Sequence, residues 1–146
     1  MMSGIVVGVD GSGHSQRALG WAMTEAAVRQ VPLTVLTVYE QMRGYFGGMV
    51  TSPGDEALAA QAKQLVQTEV DEVLAKLAGP RPSVVNVEVA MGSSVEQIVN
   101  AGKDADMIVL GSRGAGGFSR MMLGSVSSLV TQHANCPVVI IPAEGR

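Results

Sequence analysis

Runs that read as strands alternate with helical patterns along the whole chain, and few folds admit that order. Four of the runs are short, β-branched and continuously apolar: residues 4–10 (GIVVGVD), 33–39 (LTVLTVY), 107–111 (MIVLG) and 137–141 (PVVII). Apolar runs without polar alternation suit a parallel sheet whose two faces are both covered by helices. A fifth, 84–90 (VVNVEVA), alternates apolar with polar and suits an edge strand with one wetter face. Helical spacing fills the gaps. Residues 14–29 carry Ala18, Leu19, Ala22 and Ala26 on one face, and 56–77 carry Ala62, Leu65, Val66, Val70, Val73, Leu74 and Leu77 before Gly79-Pro80. Residues 94–101 follow a capping signal, with Ser93 or Ser94 as N-cap and Glu96 or Gln97 to complete the box. Residues 125–134 carry Val126, Leu129, Val130 and His133 and end at Asn135-Cys136-Pro137. Strict alternation predicts right-handed βαβ units and a doubly wound α/β sheet, with ligands beyond the carboxyl ends of the strands where the winding reverses. Asp10, Tyr39, Met91-Gly92 and Gly111 all lie at those ends.

Composition narrows the class. With 146 residues, 47% apolar and 16% charged, the chain is expected to fold as a single globular domain spanning 1–146. A net charge of −3 with no Lys/Arg stripe gives no footprint for nucleic acid. The one cysteine, Cys136, makes no internal disulfide and reads as an inert core thiol, and His14 and His133 have no partner at metal-ligand spacing. No metal site of the chain's own is expected. The opening runs into IVVGVD without a cationic leader, and no apolar run approaches the roughly 20 residues of a membrane span. These features predict a cytoplasmic protein with no membrane association. Residues 43–54 (RGYFGGMVTSPG) form the one long irregular stretch and read as a flap.

The chemistry concentrates in 107–128 (MIVLGSRGAGGFSRMMLGSVSS), a strand, a glycine-rich loop and a helix start. Free backbone N–H groups and the helix dipole make such a turn an anion site. Known phosphate patterns fail elsewhere. The P-loop G-x-x-x-x-G-K-[ST] meets Gly8 to Ser15 with His14 in place of the lysine, and Gly8 falls inside a strand. The dinucleotide pattern G-x-G-x-x-G has Gln16 where its third glycine belongs. A receiver-type phosphoacceptor needs an acid at the end of the third strand, where Ala90-Met91-Gly92 stands.

What remains is Gly111-x2-Gly114-x9-Gly124-Ser125. This spacing resembles the ATP-binding signature of the universal stress protein family. The likeness extends over the whole chain, through the GVDGS opening, the Met91-Gly92 step, the LGSRG turn and the closing CPVVIIP strand. The resemblance implies a Rossmann-like five-stranded parallel sheet, order 3-2-1-4-5, with helices on both faces, as in adenine nucleotide α-hydrolase-like domains. It also implies roles. Gly111 and Gly114 let the backbone approach the ligand; Gly124, Ser125 and Val126 offer N–H groups to phosphate; Arg113, with Arg120, supplies charge. Asp10 resembles the family's nucleoside-binding aspartate, Val38 the backbone position that reads the adenine edge, and Gly92 a clearance for ribose or base.

The family further implies ATP, carried with Mg²⁺, and a homodimer paired through strand 137–141, an apolar sheet edge. The functional expectation is a nucleotide-dependent regulatory module of the stress response, with an unidentified protein partner. No catalytic residue is assigned, because phosphoryl transfer needs a positioned base and Mg²⁺-binding carboxylates, and Asp10 alone is placed near the loop. Hydrolysis is therefore expected to be slow or absent; the alternative is a slow ATPase, or a protein that autophosphorylates at Ser125 or a nearby serine.

Overall fold

The computed structural model describes residues 3–11, 13–39, 55–112 and 124–142. The elements run β1 (Ile5–Val9), α1 (Gly13–Arg29), β2 (Leu33–Tyr39), α2 (Asp55–Lys76), β3 (Val85–Met91), α3 (Ser94–Ala101), β4 (Met107–Gly111), α4 (Ser125–His133) and β5 (Val138–Ile141). Their ends agree with the sequence reading to within one residue. One short 3-10 turn, Gly102–Asp104, joins α3 to β4 and carries no sequence signal that the reading used. All five strands pair in parallel in the order β3-β2-β1-β4-β5, as the sequence reading expects.

Successive residues of a strand point to opposite faces, so the continuously apolar runs feed two cores. On one face Ile5, Val7, Leu33, Val35 and Val109 pack beneath α1 and α2. On the other, Val6, Leu36, Ile108 and Leu110 meet Ile98 of α3 and Val130 of α4. Ala18, Leu19, Ala22 and Ala26 are all fully buried, and the small alanines let α1 sit close over the centre of the sheet. The fifth strand behaves as its alternation foretells: β3 is an edge, with Asn86 and Glu88 exposed between the half-buried Val85, Val87 and Val89.

The expected stripe of α2 is buried only in part. Val66 and Val70 are buried, but Leu65 is 68% exposed and Leu58 is 51% exposed. Angle explains the difference. Leu65 directly precedes the buried Val66, and at about 3.6 residues per turn it falls on the rim of the face that carries Val66, Glu69 and Val70.

At the amino end of the sheet, Gly4 joins the two central strands. Its N–H donates to Asp106 Oδ2 at 3.0 Å, and the Asp106 N–H donates back to the Gly4 carbonyl at 2.8 Å.

Candidate functional site

The sheet register lines up the carboxyl end. Val9 pairs with Thr37 and Val7 with Val109. Carried forward, the same register sets Asp10 between Val38 on one side and Ser112 on the other. At about 4.8 Å between strands, the three span a row about 10 Å long. The winding reverses between β1 and β4, so this row lies at the switch point where doubly wound sheets hold ligands. Asp10 is exposed there, followed by the turn at Gly11. On the far side of β2, the Gly92 N–H donates to the Tyr39 carbonyl at 3.2 Å, tying the ends of β2 and β3 together. Gly92 has φ +120°, and a Cβ would only touch Gln97 Nε2 at 3.5 Å. Its backbone conformation, rather than a shortage of space, calls for glycine.

On the β4 side, the Gly124 N–H donates to the Ser112 carbonyl at 2.7 Å, and the Ser112 N–H donates to the Ile141 carbonyl at 2.9 Å. Ser112 and Gly124 are thus held against each other. The Ser127 hydroxyl donates to the Gly111 carbonyl at 2.6 Å and locks the first turn of α4 onto the end of β4. Gly124 uses its own N–H on Ser112. The donors at the start of α4 are accordingly Ser125, Val126 and Ser127, whose N–H groups have no carbonyl one turn back within the helix.

The helices differ in how their N-termini are finished. α3 is capped by Ser93, whose hydroxyl accepts the Glu96 N–H at 3.4 Å, and carries Glu96 in its first turn. α2 opens with Asp55-Glu56. Neither α1 nor α4 has an acidic residue in its first turn, and α4 has no side-chain cap. These two helices follow the strands that flank the switch point. An N-terminus carries roughly half a positive charge; these two ends, whose first turns hold no acid, lie at the switch point, with Asp10 three residues ahead of α1, and the uncapped start of α4 favours an anion there.

Of the residues expected from sequence, the structure brings Asp10, Val38, Gly92, Gly111, Gly124, Ser125 and Val126 to this one end of the sheet. Arg113 and Gly114, with Arg120 and the stretch 43–54, lie outside the described residues. Two contributors escaped the sequence reading. Ser127 is only 5% exposed; a hydroxyl three residues after Gly124, between Val126 and Val130, is the signal that would have found it. Removing the hydroxyl leaves the Gly111 carbonyl unpaired, so Ser127→Ala should destabilise the fold by about 1–3 kcal/mol in urea unfolding. The second is Glu69, only 9% exposed on α2 and hydrogen-bonded to the Gln16 side chain from α1. Burial raises its carboxyl pKa; the Gln16 bond opposes that, and Asp10 and Glu72 add to it. Cys136 is half-buried, and its thiol pKa is raised, chiefly by burial.

Comparison with known proteins follows the same lines. The universal stress protein family matches residues 1–142. The chain belongs to that family. A universal stress protein of Mycobacterium tuberculosis is 35% identical over 145 residues, which are 97% of this chain and 48% of that protein. The chain thus spans about half the length of the curated universal stress proteins it matches. A universal stress protein solved in complex with cAMP has a TM-score of 0.67 and 25% identity, over 94% of each chain. One from Archaeoglobus fulgidus in complex with dAMP has a TM-score of 0.66 and 29% identity, over 97% of this chain and 98% of that one. Among the described residues of this universal stress protein, no helix is long and apolar enough to cross a membrane.

Proposed function

We propose that this universal stress protein is a cytoplasmic regulatory module that binds ATP at the carboxyl end of its sheet and hydrolyses it slowly or not at all. The observation that carries the reading is the convergence at the β1/β4 switch point: an exposed aspartate and two helix N-termini whose first turns hold no acid. Asp10 accepts hydrogen bonds from the nucleoside, the Val38 backbone lies beside it for the base edge, and Gly92 borders the pocket beyond β2. Ser125 and Val126 donate to phosphate from the start of α4, and Ser127 adds an N–H. Arg113 and the Gly111–Gly114 turn complete the phosphate side in this reading. Mg²⁺ enters as the ion that ATP carries. The relatives solved with cAMP and dAMP support an adenine nucleotide as the ligand class.

The regulatory reading is tested by incubating the protein with Mg-ATP and following nucleotide by chromatography. Stoichiometric retention with turnover near background is expected. Turnover well above background that Asp10→Ala abolishes would replace the module with an enzyme on the same fold.

We place a homodimer contact on β5, an edge strand of the sheet. Ile108 donates to the Pro137 carbonyl and Ser112 to the Ile141 carbonyl, so the backbone of 137, 139 and 141 faces β4. Backbone groups alternate along a strand, which turns those of Val138 and Ile140 outward, free to pair antiparallel across a two-fold axis. Ile140→Pro removes an outward N–H without cutting the β4–β5 ladder. Light scattering at micromolar concentration should give a dimer for the natural sequence and a monomer for this variant; a monomer for both would end the dimer reading.

A further inference from the structure

Glu69 is the acid the nucleotide reading leaves unused. It sits on the inward face of α2 between Val66 and Val70, both buried. Its Oε1 is buried and has no hydrogen-bond partner among the described residues. A charged carboxylate in that position is costly, because a buried oxygen without a donor loses its hydration and gains nothing. The groups that the surrounding elements turn toward it carry no compensating charge. α1 offers the neutral Gln16, the end of β1 offers Asp10, and α2 itself offers Glu72. β2 and β3 turn Leu33, Val35, Val85 and Val87 to this core, with Thr37 and Tyr39 following on the same face of β2. None of these groups is a cation, and two are acids.

We propose that Glu69 is a proton-linked positioning residue of the nucleotide site: it takes a proton from solvent when an anionic nucleotide settles at the Asp10 end of β1, and so ties nucleotide affinity to pH. The proposal rests on the nucleotide reading above. Phosphate brought to the switch point adds negative charge to a neighbourhood that already holds Asp10 and Glu72. The cheapest response is to neutralise the acid whose charged form is least solvated. Protonated Glu69 keeps an oxygen for Gln16 and no longer repels Asp10, whose carboxylate accepts hydrogen bonds from the nucleoside in the reading above. The raised pKa of Glu69 agrees with this placement.

The sign follows from linkage. A ligand that raises the proton affinity of a group binds more tightly as pH falls through that group's pKa. Mg-ATP affinity of the natural sequence should strengthen about threefold to tenfold between about pH 8 and about pH 5.5 beyond the change in Glu69→Gln. Titration of the ATP phosphates is common to both proteins and cancels in that difference. At the higher pH Glu69→Gln should bind more tightly than the natural sequence, and at the lower pH the two should converge. Calorimetry of the natural sequence in two buffers of different ionisation enthalpy gives a second readout that needs no variant, and proton uptake on binding is expected. Equal pH dependence in the two proteins, or no proton uptake, overturns the role of Glu69 while leaving the nucleotide site standing. Failure of the natural sequence to bind ATP at either pH overturns both.

Discussion

Gly4→Ala is expected to destabilise the fold by about 2–6 kcal/mol, through backbone strain of about 1–3 kcal/mol and overpacking of about the same size. Gly4 has φ +98°, and a Cβ there would lie 2.6 Å from the Pro32 carbonyl oxygen and 3.1 Å from its Cγ. The oxygen is not free to retreat, because it accepts the Ile5 N–H at 3.0 Å, where β1 begins. Gly4 itself is held by its two bonds to Asp106. Movement on either side breaks a hydrogen bond at the junction of the two central strands. Urea unfolding should show a lower midpoint with an unchanged slope. Gly79→Ala is the control, since Gly79 has φ +132° with nothing within 4 Å of a Cβ; it reports strain alone, about 1–3 kcal/mol. Equal losses in the two variants would remove the contact with Pro32 from the account.

Asp10→Ala should weaken ATP binding by about tenfold or more. A hydrogen bond to a charged group contributes about 1.5–3 kcal/mol, and about 1.4 kcal/mol is tenfold in affinity. Direction matters as much as size. If Asp10 faces the nucleoside, removing its carboxylate deletes an acceptor and binding weakens. If it instead faces phosphate, removal relieves repulsion and binding tightens. Urea unfolding of the variant separates a loss of fold from a loss of the site, and the titration is read at a denaturant-free condition where both proteins are folded. A change of less than about twofold, on the same scale, would remove Asp10 from the site.

The parallel sheet between helices was legible because of one property of the strands, whereas its order followed only from the resemblance to the universal stress protein family. Runs such as IVVGV and MIVLG bury both faces, which only a parallel sheet between two helix layers explains, and the VNVEVA alternation marked the edge. The overreach at Leu65 has another root. Periodicity records which side of a helix is apolar but not how much of that breadth the sheet covers, and Leu65 falls on the exposed rim beside the buried Val66. The placement of the candidate site residues was legible where it rests on backbone and on strand ends. Gly92, Gly111 and Gly124 mark turns, and Asp10 ends a strand. It was not legible where side chains meet across the fold. The Ser127 hydroxyl reaches a carbonyl 16 residues away, and Glu69 on α2 meets Gln16 on α1. Neither pair shares a period or a motif. Gly124 shows the intermediate case: its place at the start of α4 followed from spacing, but the gift of its N–H to Ser112 did not.

The central claim is that nucleotide sits at the carboxyl end of the sheet between β1 and β4, against the start of α4. Backbone amide NMR of the isotope-labelled protein, with Mg-ATP added stepwise, tests it most directly. The amides of Gly11, Tyr39, Ser112, Ser125, Val126 and Ser127 should shift together along one binding curve, while those of Gly4, Val84 and Asp106 at the opposite end stay still. Saturable shifts confined to that opposite end, or no shifts at millimolar ATP, would contradict the account.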